Sequence, residues 1–322
     1  MASVSSNDIK VENCSCPVCS STSFDIVYKD VMDNLYDLPG RFDFVSCKNC
    51  GQLYLNPRPT KEFISIYYPA NYESFVFKKL DEVSKLKRIS INYGLYKRCR
   101  LVLTYRSHGR LLDIGCGSGQ FLDAMRKRPG WSVAGIDTSP IAVSAARELL
   151  GLEVYRSDID SAPFPPASFD VVTMWDVFEH LYDPLHALET IRNLLKPDGV
   201  LIIRTPSLDS WDAALFGRCW AGLDPPRHLA VFSRSTLYRV LQRGGFRILK
   251  QHAGGGGYAI LLLSLRIAWG HRTQWSRLRR LLWRLLEHPV AAACFALPLW
   301  LLERSGKGAE MCFVATPRES TM

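Results

Sequence analysis

From Arg110 to Arg204 the chain alternates short apolar runs with amphipathic stretches of about a dozen residues, the pattern of repeated strand–helix units that build a parallel sheet. The spacing predicts strands near 110–114, 131–136, 152–155, 169–174, 199–204, 246–252 and 310–316, and helices near 119–127, 139–149, 184–195 and 235–243. Lys196-Pro197-Asp198-Gly199 reads as a helix stop followed at once by a buried strand. The class expected is α/β, a doubly wound, mostly parallel sheet of seven strands with a small N-terminal module and a helical insert before the last strand. The divisions that follow are 1–59 for the module, 60–108 for a helical lead-in, 109–253 with 309–322 for the main domain, and 254–308 for the insert. The lead-in is rich in tyrosine, Lys and Arg and includes Phe75 and Phe77; the insert opens on Gly254 to Gly257 and is rich in Leu, Trp and Arg.

Cysteine usage alters the picture at the N-terminus. Cys16-x-x-Cys19 and Cys47-x-x-Cys50 supply four thiolates for a tetrahedral ion, so a closed structural zinc site of zinc-ribbon type is expected, with Cys14 a rival for one position. No charged start followed by an apolar stretch precedes it, so a cytoplasmic, reducing setting is expected.

Leu111 to Leu122 reads as an apolar strand, a glycine-rich turn and a helix start, with Gly115, Gly117 and Gly119 letting the backbone turn sharply and approach a ligand. The third glycine comes one residue earlier than a dinucleotide fingerprint requires. Asp113 beside the turn would repel a pyrophosphate but suits a ligand carrying an ammonium and a sulfonium, as adenosylmethionine does. Asp137, at the end of the next strand, offers a carboxylate to a ribose diol, and Asp158 an acceptor to the adenine amino group.

These motifs make residues 110–204 resemble a class I, Rossmann-like S-adenosylmethionine-dependent methyltransferase. The D-x-G-x-G-x-G loop is Asp113 to Gly119, and Trp175-Asp176-Val177-Phe178-Glu179-His180-Leu181 is similar to the strand-four segment of small-molecule members. The resemblance implies an S-adenosyl-L-methionine cofactor held by Asp113, Gly115, Cys116, Gly117, Gly119, Asp137, Thr138, Asp158, Ile159 and Trp175. In its order of parts the chain also resembles bacterial zinc-containing sugar methyltransferases, without their large second C-terminal domain.

His180 and His228 fall after the strands whose carboxyl edges bind ligands, and either could accept a proton from a methyl acceptor near neutral pH. Arg227, behind Pro225-Pro226, is expected to clamp an anionic substrate group, and Trp220 to wall the substrate pocket. The expected reaction is O- or C-methylation of a small-molecule, sugar, or glycan- or lipid-linked acceptor. The net charge of +9 is local, with basic excess between Lys78 and Arg110 and between Tyr258 and Gly308. Arginine-rich stretches with Trp269, Trp275, Trp283 and Trp300 would suit peripheral contact with an anionic membrane. RNA methylation through the zinc module and basic lead-in is the rival. It is disfavoured because the segment after strand four is not Asn/Asp-Pro-Pro-aromatic. A zinc scaffold without activity is opposed by the intact acidic and glycine positions.

Overall fold

The computed structural model describes residues 9–69, 72, 83–255, 257–270 and 276–318. Phe75, Phe77 and Trp275 lie outside the described residues. Near the N-terminus come β1 (Val11–Glu12), β2 (Phe24–Val31), β3 (Phe42–Cys47), β4 (Leu53–Leu55) and β5 (Arg58–Pro59), then a long helix, α1 (Lys85–Tyr105). The main domain follows as β6 (Gly109–Ile114), α2 (Gln120–Arg126), β7 (Trp131–Asp137), α3 (Pro140–Leu150), β8 (Val154–Arg156), β9 (Phe169–Trp175), α4 (Pro184–Leu194) and β10 (Leu195–Pro206). After these come α5 (Trp211–Phe216), β11 (Ala230–Val231), α6 (Arg234–Arg243), β12 (Phe246–Gly254), α7 (Gly257–Trp269), α8 (Arg277–Glu287), α9 (Pro289–Arg304) and β13 (Glu310–Pro317).

Local chemistry explains the helix boundaries. Ser139 accepts a hydrogen bond from Ala142 N at the start of α3, which stops at Gly151 with a φ of 60°. Asp183 caps α4 through the N–H groups of Leu185 and His186, with Pro184 in the first turn. Ser233 and Thr236 make a reciprocal capping box on α6.

The main sheet has seven strands in the order β12-β13-β10-β9-β6-β7-β8. β6 to β10 pair in parallel, whereas β13 runs antiparallel to both β10 and β12. β12 is therefore parallel to the rest, and the insert that follows it leaves from the sheet's carboxyl edge. The expected seven strands and four helices all form. β10 differs by starting at Leu195, where a lone pairing with Phe169 precedes a register shift before Val200.

A second sheet has the order β11-β4-β3-β2, so its edge strand comes from far along the chain: Ala230 pairs with Tyr54 and Val231 with Leu53. Cys16, Val18, Cys47 and Tyr54 share one buried cluster with Leu112, Ile114, Leu201 and Phe232 of the main domain. Among the described residues no single helix is long and apolar enough to cross a membrane.

Candidate functional site: a glycine loop, two strand-end carboxylates and a histidine pair

Gly115, Gly117 and Gly119 have φ values of 69°, 53° and 80°, which L side chains rarely adopt. A Cβ on Gly115 would sit 2.5 Å from Val177 Cγ2, and one on Gly119 2.6 Å from Leu152 Cδ1. Sterics as well as dihedrals thus demand glycine at both positions. The Gly115–Val177 contact also ties the loop to the segment after β9 that carries Glu179 and His180.

Asp113 is buried and accepts a 2.6 Å hydrogen bond from Thr173 Oγ1. Burial pushes its carboxyl up to about 7, against the opposing pull of Thr173 and Arg98. The Asp137 carboxylate is turned onto the loop: Oδ2 accepts from Gly117 N and Oδ1 from Ser139 N, each at 2.8 Å. Each oxygen keeps a further lone pair, so the group can brace the loop and still accept from a diol. Burial raises its pKa too, and a cation or hydroxyl donors at the site would relieve that penalty.

The remaining cofactor candidates are placed unevenly. Cys116 and Ile159 are buried, Thr138 is exposed, and Asp158 is exposed with Oδ1 taking Ser161 N at 3.0 Å. Trp175 ends β9 with Phe121 edge-on at 5.3 Å and the Arg98 and Arg204 guanidinium carbons 5.3 and 5.6 Å from its ring centroid. Arg98, from α1, was not singled out from sequence; burial and the charge of Arg204 lower it to about 10. Its signal was faint, one cation among many in a basic helix.

On the acceptor side, the His180 and His228 rings lie 4.7 Å apart at 72°. His180 Nδ1 meets Arg227 O at 2.8 Å and Tyr68 Oη at 3.1 Å, and His228 Nδ1 meets Gly222 O at 2.9 Å. Carbonyl oxygens only accept, so both Nδ1 atoms carry the hydrogen and both Nε2 atoms keep a lone pair. Burial, with the neighbouring His228, takes His180 down to about 4; burial likewise lowers His228. Both rings are therefore neutral at physiological pH.

Glu179 is buried beside them, its Oε1 3.9 Å from His228 Nε2, and neither of its carboxylate oxygens has a hydrogen-bond partner among the described residues. Burial, reinforced by the charge of Asp176, pushes it well above the carboxylate range. One ligand atom each from Glu179, His180 and His228 fall within 4.8 Å of one another.

Two sequence expectations are corrected. Arg227 does not face a substrate: it is 0% exposed, with bonds of 2.8 Å to each Asp33 oxygen, 2.9 and 2.6 Å to Asp224, and 3.1 Å to Tyr67 O. A buried guanidinium needs such pairing, and here it fixes the loop that holds His228. Trp220 is a core residue rather than a wall, buried among Phe44, Leu55 and Tyr67, with its indole N–H given to Asp212 at 2.8 Å.

In the module, Cys16 and Cys50 Sγ are 3.5 Å apart, as are Cys19 and Cys47, and all four lie within 4.8 Å of one another. Zinc–sulfur bonds of about 2.3 Å set tetrahedral sulfurs about 3.8 Å apart, so the donors fit one ion. Cys14 stands outside this group, its Sγ 3.7 Å from Leu55 O.

A parallel sheet in this strand order, with a glycine turn after β6 and carboxylates closing β6 and β7, defines a Rossmann-like nucleoside-binding domain. Residues 92–251 match the profile of a family described as a methyltransferase domain. That segment, just under half of the chain, is similar to a methyltransferase domain. A ubiquinone biosynthesis O-methyltransferase of Xanthomonas campestris is 43% identical over 103 residues, 30% of this chain and 42% of that protein. One from Cereibacter sphaeroides is 37% identical over 147 residues, 42% of this chain and 59% of its own length. The chain thus spans about two fifths to three fifths of these curated relatives. A solved S-adenosylmethionine-dependent methyltransferase from Mesorhizobium loti aligns over 74% of this chain and 100% of its own at 18% identity, TM-score 0.47.

Proposed function

We propose that the protein transfers a methyl group from S-adenosylmethionine to a hydroxyl of a small-molecule or lipid-linked acceptor, with His228 as proton acceptor. The observation that carries this is the meeting, through Gly115 and Val177, of a carboxylate-lined glycine loop with two neutral histidines whose Nε2 lone pairs meet no backbone donor among the described residues. O-methylation is preferred over C-methylation because the curated relatives are named as O-methyltransferases. Asp113, the loop glycines and Asp137 would hold the nucleoside and its amino acid end, with Cys116, Thr138, Asp158, Ile159 and Trp175 around it. Cys16, Cys19, Cys47 and Cys50 would hold a structural zinc ion.

When bound, the cofactor supplies an electrophilic methyl on a sulfonium that departs as a neutral thioether. Gly222 O fixes the His228 tautomer, so Nε2 can take the acceptor hydroxyl's proton as the oxygen–carbon bond forms. Arg227 and its two aspartates position that loop without touching the acceptor. Burial excludes water, and near-attack placement supplies the rest of the acceleration.

His228→Asn, assayed by radiolabelled methyl transfer to lysate fractions, should lower kcat by about 10²- to 10⁴-fold with cofactor affinity unchanged. At saturating S-adenosylmethionine the wild-type rate should fall only at a pH below the ordinary histidine range, because burial lowers the pKa of both imidazoles. A full rate in the variant, or loss of rate centred on an ordinary histidine pKa of about 6.5, would rule the assignment out.

The orphaned carboxyl of Glu179 favours a second reading, in which Glu179, His180 and His228 hold a divalent cation that orients the acceptor oxygens. Activity that titrates with added Mg²⁺ or Mn²⁺ would select it over the proton-acceptor route.

A further inference from the structure

Helix α8 leaves most of its leucines exposed. On an α-helix Leu278, Leu281, Leu282, Leu285 and Leu286 fall within one face of about 140°. The first four of these are nevertheless 64%, 55%, 41% and 58% exposed. The side chain of α8 that packs inward is Trp283, about 60° round the helix from Leu286; it is 7% exposed and meets Trp269 of α7 at 6.1 Å between ring centroids, while the arginines of the helix are exposed. α9 extends the apolar surface with Val290, Leu297, Trp300 and Leu301, at 61%, 64%, 47% and 54% exposed. An amphipathic helix ordinarily turns its leucines to the core, and leucines left exposed along one face of α8, followed by exposed apolar side chains on α9, mark a docking site.

Charge identifies what docks there. From Arg277 to Lys307 the cations are Arg277, Arg279, Arg280, Arg284, Arg304 and Lys307, against the acids Glu287 and Glu303. Two copies joined by this face would bring like clusters together, whereas lipid phosphates complement them. Trp300 and Arg304 make a cation–π pair at 4.9 Å, an arrangement suited to the level of lipid headgroups. At 11 and 16 residues neither helix spans alone; the two together, bent by 70°, have the length and composition of a broken span, but the four arginines of α8 favour a helix lying in the interface.

The surface is fastened to the acceptor side of the site. Tyr258 of α7 donates to Leu286 O of α8 at 2.6 Å, and Ser264 of α7 accepts from Ala221 N at 2.9 Å. Ala221 precedes Gly222, whose carbonyl holds His228.

We propose that the exposed leucine face of α8, continued by α9, docks the protein peripherally on an anionic lipid bilayer and sets the acceptor side of the methyl-transfer site against molecules held in that membrane. The second half of this proposal rests on the transferase reading above; the first does not.

The test is cosedimentation of the full chain with vesicles of phosphatidylcholine, alone or mixed with phosphatidylglycerol. The expected result is binding only to the mixed vesicles, weakened by salt. Leu281→Ser with Leu285→Ser should lower partitioning at least about tenfold. Each of Arg279→Ser and Arg280→Ser should lower it about fivefold. These side chains are exposed, so S-adenosylhomocysteine binding by the same variants should be unchanged, and that readout separates failure of docking from failure of the transferase reading. Wild-type protein left in the supernatant with anionic vesicles would overturn the proposal. So would leucine variants that sediment like wild type, or velocity sedimentation showing a dimer that those same substitutions dissociate.

Discussion

Replacing Asp137 by alanine should abolish methyl transfer to any acceptor and weaken S-adenosylmethionine binding by at least about a hundredfold. Two losses combine. The carboxylate that would accept from the ribose hydroxyls disappears, and Gly117 N and Ser139 N lose the acceptors that hold them at 2.8 Å. Each buried N–H left without a partner costs about 1–3 kcal/mol, so the loop itself should loosen. Asp137→Asn separates the two effects: it retains one acceptor oxygen and should recover more of the melting temperature than of the affinity. Calorimetry and thermal melts of both variants provide the check, and wild-type affinity in Asp137→Ala would remove this residue from the cofactor site.

Loss of the proposed zinc should be felt well beyond the module. Structural zinc contributes apparent binding free energies of about 10–16 kcal/mol in small domains, so Cys47→Ser or chelation should lower the melting temperature by about 10 °C or more. Activity should fall with it, because the module's sheet is completed by β11, two residues after His228, and Leu55 N donates to Leu229 O at 2.9 Å. Arg239 also reaches from α6 to Cys50 O at 3.4 Å. Metal analysis should find one zinc per chain in the wild type and none in the variant. A metal-free Cys47→Ser protein that melts and turns over normally would refute both the ion and its reach.

The main sheet was legible because buried parallel strands write themselves as short apolar runs, and glycine turns announce where ligands approach; strand ends fell within about two residues of expectation except at the start of β10, which comes four residues early. The strand pairing of the module was not legible, since a two-residue strand such as β11 has no periodicity and its partner lies far away in sequence. The same distance hid the Asp33–Arg227 pair and made an arginine after two prolines read as a free substrate clamp. Tyr68, which reaches His180 from the lead-in, gave no signal among many tyrosines. In α8 the leucine spacing was visible, but spacing gives a face and not its direction, and only coordinates show that the leucines point outward.

The most direct test of the central claim is isothermal titration of the full chain with S-adenosylmethionine on either side of neutrality. A cationic nucleoside seated beside Asp113 requires that carboxylate ionised, and burial holds it near 7 in the free protein. A single site is expected, competed by S-adenosylhomocysteine, whose affinity rises with pH up to about 7 and then levels, with proton release on binding below that point. Absence of binding, or a site competed by a dinucleotide pyrophosphate, would contradict it.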